Sequence, residues 1–208
     1  TLILTLPRTG LQAGSVLDYV LSPDGLAVGT ASSAPLALLP NAGTGRVTET
    51  LLLVDAAQLS WHRVQLPKGA AGNSSRLRAV LEGLLEDQLL DDPATLHFAL
   101  APGAAKDAST WVAVCDKAWL RNGLQAFEAA GITVARIVPE LVPELVPDAP
   151  ADVILRRGTN GDAYEIDPRA GVIWWKSIAA AADAARIARE LEIADLQLEL
   201  LGDDTAVG

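Results

Sequence analysis

The sequence is short of several residue types. In 208 residues it has no methionine, one cysteine, two histidines, two phenylalanines and two tyrosines. Two histidines (His62 and His97) and one cysteine cannot supply the four nitrogen and sulfur ligands of a structural zinc site. A lone cysteine forms no disulfide within the chain, which predicts a reducing compartment. Cys115 lies in the apolar run WVAVC and reads as a small buried strand residue. With no methionine even at the start, the natural chain is expected to extend beyond this sequence. No apolar run reaches the 18 or so residues of a membrane-spanning helix. The opening TLILTLPRTG lacks the basic region of a signal peptide and meets proline at position 7. Basic patches are missing too. The net charge is −10, and Arg156-Arg157 and Arg186/Arg189 are isolated pairs. Such a field repels nucleic acid and anionic lipid, so neither is an expected partner.

Half of the residues are hydrophobic, and the mean hydropathy is +0.27. That suits one large core or two smaller ones and argues against disorder. Residues 16–21 (VLDYVL) and 26–31 (LAVGTA), joined by Ser-Pro-Asp-Gly, read as a hairpin. A Gly/Pro-rich loop follows over 35–46. Runs at 50–54 (TLLLV) and 59–66 (LSWHRVQL) suit strands. A helix then opens at RLRAVLEGLLEDQLLDDP. Leu77, Val80, Leu81, Leu84, Leu85 and Leu89 recur at three- and four-residue spacing, which predicts one buried face with its end at Pro93. Residues 96–100 (LHFAL) make a short strand.

Strand 110–115, helix 117–130 with Gly131 at its end, and strand 132–138 form a strand–helix–strand unit. Its two strands are expected to lie parallel in one sheet. PELVPELVP at 139–147 cannot be helical, because proline removes backbone donors, and it reads as a joint. Strands at 152–157, 163–167 and 172–176, a helix over about 178–192 and a strand at 195–201 complete a βββαβ order. The first half repeats that order less tidily. The expected fold class is therefore α/β, actin-like or ribonuclease H-like, with two βββαβ lobes around a degenerate cleft. The expected division is a first lobe at 1–105, a strand–helix–strand unit with connector at 106–147, and a second lobe at 148–208.

Actin-like ATPases hold phosphates with the first hairpin loop of each lobe and magnesium with nearby aspartates. The turn LSPDG has no Gly-Thr pair and no following lysine. LRRGTNGD has glycines, yet Arg156 and Arg157 stand where a carboxylate would be wanted, and two guanidinium groups disfavour a divalent cation. No phosphate-loop, dinucleotide or nucleophile-elbow motif occurs. The acids Glu86, Asp87, Asp91 and Asp92 lack the glycine-punctuated spacing of a calcium loop. No catalytic residue, cofactor or metal is expected. Trp174-Trp175 on a strand should place one ring inward and one outward.

The stretch WHRVQLP, a polar loop, then RLRAVLEGLLEDQLLDDPATLHFAL resembles the cytoplasmic domain of the protein L family of the bacterial type II secretion system. The positions that carry it are Leu66-Pro67, Glu86-Asp87-Gln88-Leu89 and His97-Phe98. WVAVCDKAWLRNGLQAFEAAGI followed by IVPELVPEL adds to it, so that it covers about residues 50–150. The resemblance implies an actin-like scaffold without ATPase chemistry, on the cytoplasmic face of the inner membrane. It implies a non-enzymatic adaptor that recruits the secretion ATPase, protein E, through that enzyme's N-terminal domain. Platform proteins M and F would be met through regions partly outside this chain, as would a membrane helix and periplasmic domain, and a homodimer is compatible. Two alternatives stay open: a nucleotide-binding actin-like ATPase or kinase-like enzyme, and an actin-like adaptor of a type IV pilus machine.

Acids at a helix C-terminus oppose its dipole at a cost of about 0.3–1 kcal/mol each. One explanation is that Glu82, Glu86, Asp87, Asp91 and Asp92 face a basic partner surface. The other is that Asp91 and Asp92 lie past the helix end, solvated, with Asp87 capping a loop.

Overall fold

The computed structural model describes residues 1–12, 14–23, 27, 29–40, 47–67, 70, 74–101, 109–143, 154–157, 163–167 and 171–175. They fall into two compact units, Thr1–Glu140 and Leu141–Gly208.

In the first unit the chain runs β1 (Leu2–Leu6), β2 (Val16–Leu21), β3 (Thr30–Pro35), β4 (Thr50–Val54), β5 (Ser60–Gln65), α1 (Ser74–Leu85), β6 (Leu96–Leu100), β7 (Ser109–Asp116), α2 (Lys117–Ala129) and β8 (Arg136–Pro139). Five of these strands form one sheet in the order β3-β2-β1-β4-β8. The β1–β2 and β2–β3 pairs are antiparallel, whereas β1–β4 and β4–β8 are parallel. Three antiparallel strands continued by two parallel ones make the ribonuclease H-like lobe that the sequence suggested.

The central strand, β1, is the one that sequence reading left out. LILTL alternates Leu2, Leu4 and Leu6, all fully buried, with the half-buried Ile3 and Thr5. That is the period-two signature of a strand. The hairpin partner of β2 also begins later than expected, at Thr30, and runs into the segment read as loop.

Helix α2 covers the leucine face of the sheet with Leu120, Gly123 and Phe127. The Asp116 carboxylate caps it by accepting from Trp119 N, and Gly131, at φ +76°, ends it in the left-handed conformation. A Cβ on Gly123 would stand 2.7 Å from Leu6 Cδ1, so glycine lets this helix lie close on β1.

The expectation that strands 110–115 and 132–138 share a sheet is overturned. β7 is the central strand of a second, three-stranded sheet ordered β5-β7-β6, and β8 pairs with β4. α2 crosses from one sheet to the other. A crossover of that length permits parallel pairing but does not choose the partner; β7 already has antiparallel partners on both edges. α1 covers one face of this smaller sheet, packing Leu81 and Leu85 against Val64, Leu66, Leu96, Val112 and Val114.

In the second unit β9 (Ile154–Arg157), β10 (Ala163–Asp167) and β11 (Gly171–Trp175) form an antiparallel meander. Gly171 has φ +95° at the tight entry to β11. The helix expected near 178–192, the strand at 195–201 and the side chains of Trp174 and Trp175 lie outside the described residues.

Candidate functional site

In open α/β sheets, ligands bind beyond the carboxyl ends of the parallel strands. Here those ends belong to β1, β4 and β8. The first hairpin loop of the lobe is the β1–β2 loop, residues 7–15, and not the LSPDG turn singled out from sequence; missing β1 moved the assignment by one strand. Its carbonyl at Pro7 accepts from Gly10 N at 2.9 Å and from Trp119 Nε1 at 3.0 Å. Arg8 forks onto Asp55 at the end of β4, Nε to Oδ2 at 2.7 Å and Nη2 to Oδ1 at 3.0 Å. Asp55 is 1% exposed, and its Oδ1 also accepts from Ala57 N at 2.8 Å. Glu140 N donates to Val54 O at 2.9 Å, and its Oε2 accepts from Ala56 N at 3.4 Å. The polar groups at this edge are thus engaged with one another. The Arg8 guanidinium against the Asp55 carboxylate disfavours a divalent cation there. In the second unit Arg156 and Arg157 are the last residues of β9, paired with Tyr164 and Ala163, and residues 158–162 lie outside the described residues.

The five acids proposed for partner binding separate into two groups. Glu82 lies on α1 and pairs with Arg78 at 2.7 Å, a half-buried i,i+4 contact. Such a pair contributes about 0.3–0.5 kcal/mol. Asp92 caps the 3-10 turn at Pro93–Thr95 by accepting from Ala94 N at 2.9 Å. Glu86, Asp87 and Asp91 are exposed, with no side-chain hydrogen bond or ion pair among the described residues. The helix stops at Leu85, earlier than expected. Gln88 N and Leu89 N both donate to the Leu85 carbonyl, closing a turn. Glu86, Asp87, Asp91 and Asp92 therefore follow the last helical residue, and Asp91 and Asp92 stand far enough beyond it that the dipole penalty has fallen off. It is Asp92, not Asp87, that caps. Leu84, read as buried, is 41% exposed.

The acidic turn is held in place. Arg78 donates from Nη2 to Pro93 O at 2.9 Å and from Nη1 to Leu96 O at 3.2 Å, and lies over the Phe98 ring. His62 at the turn's base bonds Gln88 Oε1 at 3.4 Å and Ser60 Oγ at 3.1 Å. The pKa of His97 is lowered by burial and then by the charges of Arg78 and Lys117. Two features were missed in the sequence: the Arg8–Asp55 pair, 47 residues apart, and Leu90, fully exposed at 103%. Leu90 sits in LLDDP, where no periodicity assigns it a face.

Cys115 is buried, and burial with the neighbouring Asp116 pushes its pKa up to about 11. The thiolate fraction at pH 8 is then lower than for a free cysteine by a factor on the order of 100. Alkylation by iodoacetamide at pH 8 is expected to be at least that much slower than for a free thiol, and to recover in denaturing urea. Fast labelling of the folded protein would contradict this placement.

The family model for the type II secretion system (T2SS), protein L, matches residues 27–147. The chain belongs to that family. It is 32% identical over 90 residues to the type II secretion system protein L of Vibrio cholerae serotype O1 (strain ATCC 39315 / El Tor Inaba N16961). That match covers 43% of this chain and 21% of the relative, so the aligned part spans about a fifth of the relative's length. In structure this member of the protein L family is similar to the cytoplasmic domain of EpsL, an inner membrane component of the type II secretion system of Vibrio cholerae. The TM-score is 0.59 at 20% identity, over 88% of this chain and 75% of that one. The likeness is one of fold, and that shared fold is the actin-like α/β class. A weaker likeness, TM-score 0.49 at 16% identity, is to the PilM–PilN type IV pilus biogenesis complex, over 82% of this chain and 58% of that one. Among the described residues no helix is long and apolar enough to cross a membrane.

Proposed function

We propose that this member of the protein L family is a non-enzymatic adaptor at the cytoplasmic face of the inner membrane, and that it recruits the secretion ATPase through that enzyme's N-terminal domain. The observation that carries the reading is the acidic turn after α1. Glu86, Asp87 and Asp91 are exposed and held by a braced loop, while Glu82 and Asp92 are engaged in local structure. A preorganised charged surface loses little freedom on binding, and interface charge chiefly steers encounter and fixes orientation. The crowded edge beyond β1, β4 and β8 supports the adaptor reading over an ATPase. There the Arg8 guanidinium lies against the Asp55 carboxylate. Contacts with platform proteins M and F through regions partly outside this chain, and homodimerisation, belong to the same proposal.

Changing Glu86, Asp87 and Asp91 together to lysine is expected to weaken binding of the ATPase's N-terminal domain at least tenfold at 50 mM salt. It should also flatten the fall in affinity between 50 and 200 mM. Calorimetry at both salts checks it, and an unaltered affinity would refute the assignment. Titration with magnesium-ATP separates the enzyme alternative, since tight binding with turnover would favour it.

A further inference from the structure

A groove of about 540 Å3 opens beside the acidic turn, between the chain leading into β5, the turn itself, the start of β6 and the end of β7. Leu59, Leu89, Leu96, Val114 and Cys115 supply its apolar lining, and Asp91 and Asp116 are among the polar residues that share it. No lysine or arginine lines it among the described residues. The volume falls within the roughly 300–1,000 Å3 of ordinary ligand pockets. Leu90, whose side chain is fully exposed, borders the same groove. A single exposed leucine is unremarked on most surfaces. Beside a groove lined in part by those five apolar residues and among three exposed acids, it has the arrangement of an interface anchor within a charged rim.

We propose that this groove, with Leu90 at its edge, is the affinity-bearing part of the partner surface. It would take a lysine- or arginine-rich peptide segment of a partner protein that also carries a leucine-like side chain. The proposal rests on the reading that the acidic turn is the face a partner approaches. Charge decides the occupant. A second copy of this chain carries −10 and would set acid against acid, and nucleic acid and anionic lipid are repelled in the same way. A cationic segment meets Glu86, Asp87 and Asp91 while its aliphatic side chain enters the groove.

The test uses the whole 208-residue chain and a fluorescein-labelled peptide alternating lysine with leucine, followed by anisotropy at 50 mM salt. One control peptide replaces leucine by serine, and another replaces lysine by glutamate. Ser60→Trp fills the groove wall without altering charge, and Leu90→Ser changes a fully exposed position that the fold does not need. The lysine–leucine peptide is expected to bind the unaltered chain and to weaken at least tenfold with either variant. The serine control should weaken at least tenfold, and the glutamate control should not bind. Equal affinity for the variants, or for the serine control, would mean adhesion by net charge alone and would overturn the proposal, as would no binding of the lysine–leucine peptide. The two readings fail separately. If the ATPase domain responds to charge reversal but not to Leu90→Ser or Ser60→Trp, the groove assignment fails and the acidic-face reading stands. If that domain does not bind at all, the acidic-face reading fails and the peptide still judges the groove.

Discussion

Replacing Asp55 by alanine is expected to lower the free energy of unfolding by about 3–5 kcal/mol, the usual cost of breaking a buried ion pair by removing one partner. The carboxylate is 1% exposed, and it receives two Arg8 donors as well as Ala57 N. Its loss takes two carboxylate acceptors from the guanidinium at the end of β1 and uncaps the turn that follows β4. Arg8 is 27% exposed and can turn toward water, so part of its hydration is recoverable after Asp55→Ala. The carboxylate has no such outlet, and Arg8→Met should therefore cost a comparable amount even though the arginine is the more exposed partner. The double variant Arg8→Met with Asp55→Ala tests the pair as a unit. It should recover more than 1 kcal/mol relative to the sum of the singles, since directly contacting groups couple by about 0.5–3 kcal/mol. Urea unfolding followed by tryptophan fluorescence gives all three values. Additive losses would show that the two groups do not act together.

That pair also marks where sequence reasoning ends. Local signals were legible. α2 was read as 117–130 and runs Lys117–Ala129; β5 and β6 lie within a residue of expectation; Gly131 has the positive φ of a helix end. Each depends on neighbours within a turn or a strand. What failed depends on distant partners. β7 and β8 flank a helix, as strands of one sheet would, and nothing in their residues says that β7 pairs β5 and β6 whereas β8 pairs β4. The end of α1 was placed too late because Leu89 keeps the spacing of the buried face, although the chain turns at Leu85 with both following amides on one carbonyl. Missing β1 had the largest consequence. Its alternating leucines were in plain view at residues 2–6, and overlooking them moved the first hairpin of the lobe, and with it the presumed phosphate loop, to the wrong turn. For the acids, the sequence showed the cluster but not its division. Asp92 serves a cap and Glu82 an ion pair, whereas Glu86, Asp87 and Asp91 are exposed and make no side-chain bond among the described residues.

Phe127→Ala should destabilise the protein by about 3–5 kcal/mol, the range for truncating a fully buried aromatic ring. The chain has only two phenylalanines, and Phe127, fully buried, is the largest wholly enclosed side chain among the described residues. It shares a core with Leu2, Leu4, Leu6, Leu17, Leu52 and Leu120. On that face α2 already lies so close to β1 that Gly123 tolerates no side chain without displacing Leu6. Close approach leaves the helix little room to sink into the void, so the cavity term should persist and the cost should sit toward the upper part of the range. The acidic turn rests on a different core, formed by α1 over the β5-β7-β6 sheet. At temperatures where Phe127→Ala is still folded, the partner binding proposed for Glu86, Asp87 and Asp91 should therefore be unaltered, while the thermal midpoint falls by several degrees. Calorimetric unfolding and binding measured on the same sample separate the two effects. A loss of binding in the folded variant would mean that the two cores are coupled through α2, and that the acidic surface depends on the packing of the five-stranded sheet.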